Sequence, residues 1–142
     1  MIWKNNPKVE ALNMMAEGNM VSHLGIEIME IGKDYLKAKM PVDNRTKQPM
    51  GLLHGGASVA LSETMGSFAS VLILDDPMKH SIVGVEINAN HLKAVRTGYV
   101  YSLTKPIRIG RKIQVWNTEI FDENDNLLCV SRLTTMTITI ES

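Results

Sequence analysis

The sequence predicts an α+β fold in which a curled antiparallel sheet of about six strands wraps around one long central helix. The helix is predicted over 56–74, where apolar and small residues continue up to the break at Asp75, Asp76 and Pro77. Two segments with strand-like patterns precede this helix and four follow it. A single apolar helix is best buried by an antiparallel sheet that curls around it.

The part of the chain before the long helix predicts one short helix and one hairpin. The short helix is expected over 8–17, before a glycine that would end it. Segments 24–31 and 35–42 are predicted to pair, because the second alternates apolar with charged residues as a half-buried strand does. A polar loop over 43–48 then leads into the long helix.

Four strands are predicted after the long helix. They are expected over 82–91, 99–107, 112–121 and 127–140. Turn-forming residues separate them, and the last is rich in Thr, Ile and Leu, which favour strands. Pro106 has no N–H to donate to a neighbouring strand, so it is expected at a sheet edge or a bulge.

Length and composition predict one globular domain over 1–142. The chain is 44% hydrophobic and 21% charged, as soluble domains are, and it is long enough for one core. A formal net charge of +0 argues against a nucleic-acid partner and is compatible with self-association. The single cysteine, Cys129, lies in an apolar run and is expected to be buried rather than nucleophilic.

The sequence favours a cytoplasmic protein without a membrane partner. Its first residues lack the charged segment followed by an apolar stretch that marks a secretory signal. The predicted long helix approaches membrane-spanning length, but Glu63 and several serines and glycines argue against a membrane span.

The most informative segment joins a His-Gly-Gly turn to a carboxylate inside the long helix. His54, Gly55 and Gly56 open the helix, and Glu63 follows two turns later. The first amides of a helix have no intrahelical acceptor, so together with the helix dipole they form a site for an oxyanion or a carbonyl oxygen. A carboxylate in apolar surroundings is costly unless it is paired or used.

Each of these residues also has a structural explanation when it is taken alone. Glu63 could be exposed or satisfied by nearby hydroxyls, and Ser67 could bond to the helix backbone. His54 could merely orient the turn, for which the glycines supply conformational freedom. The combination of backbone donors and an inward carboxylate nevertheless favours a chemical role.

A helical wheel predicts two faces for the long helix. The sheet-facing stripe consists of Leu61, Met65, Phe68 and Leu72. The opposite face consists of Gly56, Val59, Ala60, Glu63, Gly66, Ser67 and Ser70. Because this second face is small and lacks the charges of a solvated surface, we expect a second subunit to cover it.

The spacing of Gly55 and Glu63 predicts a shared site. Eight residues separate them along the helix, which is roughly 12 Å, too far for one chain to use both groups at one reacting carbonyl. Two such helices packed antiparallel would bring Glu63 of one chain beside Gly55 of the other. The sequence therefore predicts a dimer with two composite sites.

The residues around the long helix resemble those of the hotdog-fold acyl-CoA thioesterases. The matching residues are Gln48, Pro49, His54, Gly55, Gly56, Glu63 and Ser67. The likeness continues at 40–43, 84–91 and 131–135, and so covers nearly the whole chain. Within the family, the chain is similar to the branch that contains the 1,4-dihydroxy-2-naphthoyl-CoA thioesterase of menaquinone synthesis and the enterobactin proofreading thioesterase.

This resemblance implies hydrolysis of an aromatic acyl-CoA thioester without a metal or organic cofactor. The Gly55 amide would polarise the thioester carbonyl, and Gln48 and His54 would position the thioester. Glu63 of the other subunit would act as nucleophile or as general base toward water, with Ser67 placing the water or the carboxylate. The family also implies a homo-oligomer, a dimer with shared sites that pairs into a dimer of dimers.

Substrate-binding residues are expected around this motif. Cations should contact the phosphate groups of CoA, and the candidates are His91, Lys93, Arg96, Arg108, Arg111 and Lys112. For each of them an ordinary solvated loop charge is the alternative. Met50 and Phe68 are expected to line the acyl pocket, although the wheel also assigns Phe68 to the core.

Two other functions compete with thioester hydrolysis. A hotdog dehydratase acting on acyl thioesters would need a different arrangement of histidine and acid at the helix. A non-catalytic acyl-CoA-binding module used as a sensor would need an effector or DNA-binding segment, and the predicted core consumes almost all of the 142 residues. The pattern of Gln48, His54, Gly55, Gly56 and Glu63 therefore favours a thioesterase.

Overall fold

The computed structural model describes residues 1–140, which form three helices and six strands. The helices are α1 (Val9–Met15), α2 (Met20–His23) and α3 (Gly55–Leu72). The strands are β1 (Glu27–Ile31), β2 (Leu36–Pro41), β3 (His80–His91), β4 (Tyr99–Ile109), β5 (Ile113–Phe121) and β6 (Leu127–Thr139). The predicted long helix, hairpin and four later strands are all present. The four-residue helix α2 was not predicted.

The six strands form one antiparallel sheet in the order β1-β2-β4-β5-β6-β3. Helix α3 lies in the concave side of this sheet and contacts every strand from β2 to β6. Leu36, Ala38 and Met40, the predicted inward residues of β2, are fully buried. The predicted α+β architecture, a curled sheet around one helix, is therefore confirmed.

The ends of α3 are fixed by contacts outside the helix. His54 is the N-cap, with an extended backbone and a side chain whose Nδ1 accepts the Gly56 N–H at 2.7 Å. At the other end, the backbone N–H of Lys4 donates to the Leu72 carbonyl at 2.8 Å. The N-terminal segment thus closes one end of the sheet, and Trp3 stacks there on the buried ring of Trp116.

The inner side of α3 packs closely against β6. A Cβ built at Gly66 would lie 2.5 Å from Leu133 Cδ2, so a larger residue would push the helix away from the sheet. One turn further, Ser70 shares a hydrogen bond of 2.7 Å with Thr135 and accepts one of 2.6 Å from Trp116 Nε1. These contacts fix both the height and the rotation of the helix.

The helical wheel assigned two residues of α3 to the wrong face. Gly66 and Ser70 were placed opposite the sheet, but both are buried against it. The sheet curls around the helix, so residues on the flanks are also covered. Phe68 and Leu72, expected in the sheet-facing stripe, are only partly buried at the border of the core.

Strand β3 forms a long free edge of the sheet. Its 12 residues pair with β6 and, within residues 1–140, with no other strand. A bulge interrupts this pairing between Gly84 and Glu86, and Val85 at the bulge is 56% exposed. The bulge at Gly84 was not predicted from the sequence.

The irregularity predicted at Pro106 is present, as a register shift between Pro106 and Arg108 in the β4–β5 pairing. In the described part of the chain, the helices are too short or too polar to cross a membrane.

We expect Ser70→Ala to lower the free energy of unfolding by about 1–3 kcal/mol, because it leaves the buried Trp116 N–H without its acceptor. Chemical denaturation of the parent and the variant measures this difference. In a Trp116→Phe background the donor is absent, so Ser70→Ala should cost clearly less there. Equal losses in both backgrounds would show that the Trp116–Ser70 bond does not stabilise the fold.

Candidate active site

A cavity of about 400 Å³ opens at the N-terminal end of α3. Four of the site residues predicted from the sequence line this cavity, namely Gln48, Gly55, His91 and Lys93. Its apolar walls come from Leu52, Leu53, Leu92, Val95 and Leu128. Ser58, a buried residue of α3 that the sequence did not single out, also lines it. The structure thus gathers residues from a loop, a helix and the end of β3 around one opening.

The capping bond at His54 leaves the Gly55 amide free. His54 Nδ1 accepts the Gly56 N–H, so in the neutral ring the proton is on Nε2, which can donate to a ligand. The N–H groups of Ala57 and Ser58 reach the His54 carbonyl. Within residues 1–140, the Gly55 N–H has no acceptor. It is therefore available to a carbonyl oxygen, and the helix dipole would favour the negative charge that develops there.

His91 covers Gly55 from the end of β3. A Cβ built at Gly55 would lie 2.9 Å from His91 Nε2 and 3.2 Å from Cε1. Only glycine therefore lets this imidazole approach the start of the helix without displacement. Lys93 follows two residues later in the same cavity wall, so these two cations predicted for substrate binding lie beside the Gly55 amide.

The loop before α3 holds Gln48 in place. The Gln48 side-chain carbonyl accepts a hydrogen bond from the Met50 N–H, which leaves the Gln48 NH₂ group to donate into the cavity.

The start of this loop is fixed by two polar residues. The Asp43 carboxylate accepts hydrogen bonds from the Arg45 side chain and backbone, which lower the pKa of Asp43 to about 2. The buried Thr46 hydroxyl donates to the Pro41 carbonyl at 2.7 Å and ties the loop to β2.

Glu63 lies apart from this cavity, on the side of α3 that faces the free edge of the sheet. It is exposed, and its Oε1 would be 3.2 Å from a Cβ built at Gly84, beside the bulge of β3. A second cavity, of about 220 Å³, borders Glu63 and is otherwise lined by Met20, Val21, Leu24, Ile26, Ala60 and Thr64. Ser67, one turn after Glu63, is half-buried on the same side of the helix.

One chain keeps the two halves of the predicted site separate. The cavity at Gly55 and the cavity at Glu63 have no lining residue in common. This agrees with the separation of roughly 12 Å that helix geometry gives for the two residues. A single protomer therefore presents a carbonyl-binding half and a carboxylate half.

The remaining basic candidates divide between the two ends of α3. Arg96 lies near the N-terminal end, where its Nη1 reaches the Met50 carbonyl at 3.5 Å. Arg111 lines a different cavity with Ile73 and Leu74, at the C-terminal end, and Arg108 lies nearby. With 18 residues, α3 separates these ends by about 27 Å. Within one chain, Arg108 and Arg111 are not brought to the Gly55 cavity.

Three further residues considered in the sequence analysis, Met50, Phe68 and Cys129, differ in their exposure to solvent. Met50 is 76% exposed on the loop before α3, and Phe68 is half-buried at the border of the core. Cys129 is buried as predicted, and this burial raises the pKa of its thiol. Among residues 1–140, no group of three or more His, Cys, Asp or Glu side chains is arranged to hold a metal ion.

Comparison with known proteins places this architecture in a family. The model of the thioesterase superfamily matches residues 50–129, which include the helix start, Glu63 and most of the sheet. The chain belongs to the thioesterase superfamily. Its fold is therefore the hotdog fold, as the sequence resemblance implied, and the protein is a thioester hydrolase.

Individual relatives match almost the whole chain. It is 56% identical to the 1,4-dihydroxy-2-naphthoyl-CoA hydrolase of Escherichia coli, over 95% of this chain and 98% of that protein. It is 50% identical to the proofreading thioesterase EntH of Cronobacter turicensis, over 95% of this chain and 97% of that protein. The crystal structure of a Haemophilus influenzae thioesterase matches with a TM-score of 0.95 and 50% identity, over 100% of this chain and 98% of that one.

We expect Gly55→Pro to fold and to lower kcat for thioester hydrolysis by about 10²–10³, the effect of losing one oxyanion donor. Proline replaces the N–H with a ring carbon and adds a Cβ. It is favoured at the first helical position, and His54 already has the extended backbone that a following proline requires. Steady-state kinetics with an acyl-CoA substrate measure the loss.

Gly55→Ala is the matched control for this experiment. It also brings a Cβ toward His91, but it keeps the N–H. We expect it to retain far more activity than Gly55→Pro. If the two variants lose activity equally, crowding at His91 explains the loss and the Gly55 amide is not the oxyanion donor.

Proposed function

We propose that the protein hydrolyses aromatic acyl-CoA thioesters at composite sites of a dimer, each built from the Gly55 half of one subunit and the Glu63 half of the other. The observation that carries this proposal is the separation of these two halves on α3 within a single chain. The preference for an aromatic acyl group is supported by the similarity to the 1,4-dihydroxy-2-naphthoyl-CoA hydrolase, whose name specifies such a substrate.

The free edge of β3 supports a dimer of this kind. Unpaired backbone groups on a long edge strand are a template for a strand from another chain. Within one subunit, Glu63 lies at Gly84 and Gly55 lies at His91, near the middle and the end of the same strand. If two β3 strands pair antiparallel about a point near Ile87 or Asn88, His91 of each faces the region of Gly84 in the other.

This one register of the two paired β3 strands would complete both active sites of the dimer. Neighbouring strands lie about 4.8 Å apart, so the Glu63 carboxylate of one subunit would approach the Gly55 amide of the other on each side of the two-fold axis. The residues of α3 that face away from its own sheet are small or uncharged, apart from Glu63. This composition permits the two antiparallel helices to pack closely, as the sequence predicts.

In the proposed site, each half has a separate chemical task. The Gly55 N–H would donate to the thioester carbonyl oxygen, and the Nε2–H of His54 and the Gln48 amide would position the thioester. Glu63 of the other subunit would either attack the carbonyl carbon or take a proton from the attacking water, with Ser67 placing the carboxylate or the water. Both routes break the bond between carbon and sulfur and release CoA. When Glu63 attacks, water then hydrolyses the resulting Glu63 anhydride, so both routes consume one water and yield the free acid.

The proposed dimer also reunites the basic residues that one chain separates. Antiparallel helices place the C-terminal end of one α3 beyond the N-terminal end of the other. We therefore assign His91, Lys93 and Arg96 of one subunit, with Arg108 and Arg111 of the other, to the CoA side of each site. One bound nucleotide would then contact the exposed basic residues that a single chain holds at both ends of α3. Further association would give the expected dimer of dimers.

Replacement of Glu63 tests the catalytic carboxylate. We expect Glu63→Ala and Glu63→Gln to lower kcat by at least about a hundredfold, as loss of a primary catalytic group does. Release of the CoA thiol from a panel of acyl-CoAs measures the rate, and thermal unfolding confirms that the variants fold. Unchanged turnover in a folded Glu63→Ala protein would remove Glu63 from the mechanism.

Mixing two inactive variants tests whether the sites are shared. Glu63→Ala retains an intact Gly55 half, and Gly55→Pro retains an intact Glu63 half. After subunit exchange, half of the dimers contain one of each chain and carry one complete site, so about a quarter of the parent activity should return. Absence of recovery, with exchange demonstrated by differently tagged chains, would contradict the composite site.

A further inference from the structure

A buried glutamine lies near the C-terminal end of α3, on the inward side of β5. Gln114 is only 1% exposed, and a buried amide is costly unless its N–H and C=O groups are hydrogen-bonded. Its NH₂ group donates to the Gly110 carbonyl and to the Thr137 hydroxyl, each at 3.1 Å. Its carbonyl accepts the Thr135 hydroxyl at 3.0 Å. Packing alone would be served as well by an apolar residue, so these three bonds indicate a further role.

The bonds of Gln114 continue a chain of donors that begins at Trp116. An indole N–H can only donate, so Ser70 accepts it at 2.6 Å and directs its own proton to Thr135 at 2.7 Å. Thr135 in turn donates to Gln114, whose NH₂ group donates to Gly110. Because a backbone carbonyl can only accept, both ends of the chain require this one direction. Hydrogen bonds aligned in this way strengthen one another and hold the amide in a single orientation.

The chain of donors ends on the turn between β4 and β5, which carries two exposed arginines. Arg108 and Arg111 lie on either side of Gly110, whose carbonyl is the last acceptor. The Gly110 N–H donates to the Ile113 carbonyl at 2.9 Å and closes the turn. A Cβ built at Gly110 would lie 2.6 Å from that carbonyl oxygen and 3.4 Å from Arg108 Nε. The position of this turn therefore sets where the two arginine side chains begin.

We propose that Gln114 is a positioning residue for CoA, which holds the turn of Arg108 and Arg111 in place for the phosphate groups. The inference rests on the proposed function, in which these arginines meet the CoA bound at the Gly55 half of the other subunit. Ordering an exposed turn costs conformational entropy when a ligand binds. An amide that is fixed in the core and bonded to the backbone of the turn restricts the arginines before the substrate arrives.

The geometry of α3 places this turn on the nucleotide side of the proposed site. In the proposed dimer, Glu63 of one subunit lies opposite Gly55 of the other. The C-terminal residue of α3, Leu72, then lies about 13 Å beyond that amide along the antiparallel helices. Gln114 is at this end, because it lines one cavity with Ile73, which follows the helix. Since the pantetheine arm of CoA separates the thioester from the phosphates, the turn would meet the phosphates and not the reacting carbonyl.

Two thioesters that share an acyl group test this role. Benzoyl-CoA carries the phosphate groups, whereas the N-acetylcysteamine thioester of benzoic acid lacks them. Gln114→Met keeps a side chain of similar size and removes the bonds to the turn. We expect it to raise KM for benzoyl-CoA about three- to tenfold with kcat unchanged, the range for two loosened exposed charge contacts. KM for the N-acetylcysteamine thioester should stay at the parent value, because that substrate does not reach the turn.

Ser70→Ala is the matched control for Gln114→Met. It removes bonds of the same buried chain on the α3 side and leaves the Gln114 amide bonded to the turn. It should lower the free energy of unfolding without changing the ratio of the two KM values. An equal change of this ratio in both variants would show a general effect of the buried network and overturn the positioning role.

A double-mutant cycle tests whether Gln114 acts through the arginines. In a chain with Arg108→Ala and Arg111→Ala, KM for benzoyl-CoA should already be raised, and Gln114→Met should add no further increase. A further increase of threefold or more would show that Gln114 acts through another group and would overturn the proposal.

Gly110→Ala keeps the test decisive if Gln114→Met does not fold. Its added Cβ displaces the same turn from the Ile113 carbonyl, so it should raise KM for benzoyl-CoA and leave KM for the N-acetylcysteamine thioester unchanged. An unchanged KM for benzoyl-CoA in this variant would contradict the dependence of CoA binding on the turn.

Failure of this proposal differs from failure of the proposed function. If folded Gln114→Met has the KM of the parent for benzoyl-CoA, the positioning role is overturned and thioester hydrolysis stands. If the double arginine variant also keeps the parent KM, CoA does not bind at this turn and the positioning role falls with that assignment. Hydrolysis of neither thioester by the parent would overturn the proposed function itself.

Discussion

The close packing of α3 on β6 is the contact on which the arrangement of the site depends. Gly66 lets the helix approach Leu133, and the bonds from Ser70 to Thr135 and Trp116 prevent the helix from rotating in the sheet. With the height and rotation fixed, the first amides of the helix emerge beside the end of β3, and Glu63 emerges beside its middle. A helix displaced by one side-chain diameter would move both functional groups relative to the strand that positions them.

This packing also explains how an exposed carboxylate and a free amide coexist with a stable core. The sheet buries the apolar flanks of α3 and bonds the Ser70 hydroxyl, so the side that carries Glu63 contributes little to the stability of the single chain. That side and the free edge of β3 remain available to another subunit. The groups of the proposed site are therefore those that the fold of one chain does not use.

Much of the fold and part of the site could be predicted from the sequence. Alternation of apolar and charged residues identified β2, and turn-forming residues delimited the four later strands. The His-Gly-Gly turn identified the start of α3 and its free amide. The wheel failed at Gly66 and Ser70 because it assumes one covered side, whereas a curled sheet covers the flanks as well. Helix α2 escaped prediction because four residues show no helical period, and with it the cavity at Glu63 was missed. The division of the cations between the ends of α3 also depends on tertiary structure.

The separation of the two halves has a consequence for how substrate choice can change. If the acyl group lies on the Glu63 side of one subunit, and CoA on the Gly55 half of the other, the two ends of the substrate are recognised by residues that do not touch each other. Substitutions on the Glu63 side can then alter the acyl group accepted without moving the amide that polarises the carbonyl. Distant, independent contacts of this kind contribute additively. A shared carbonyl site is thus compatible with relatives as differently named as a 1,4-dihydroxy-2-naphthoyl-CoA hydrolase and a proofreading thioesterase.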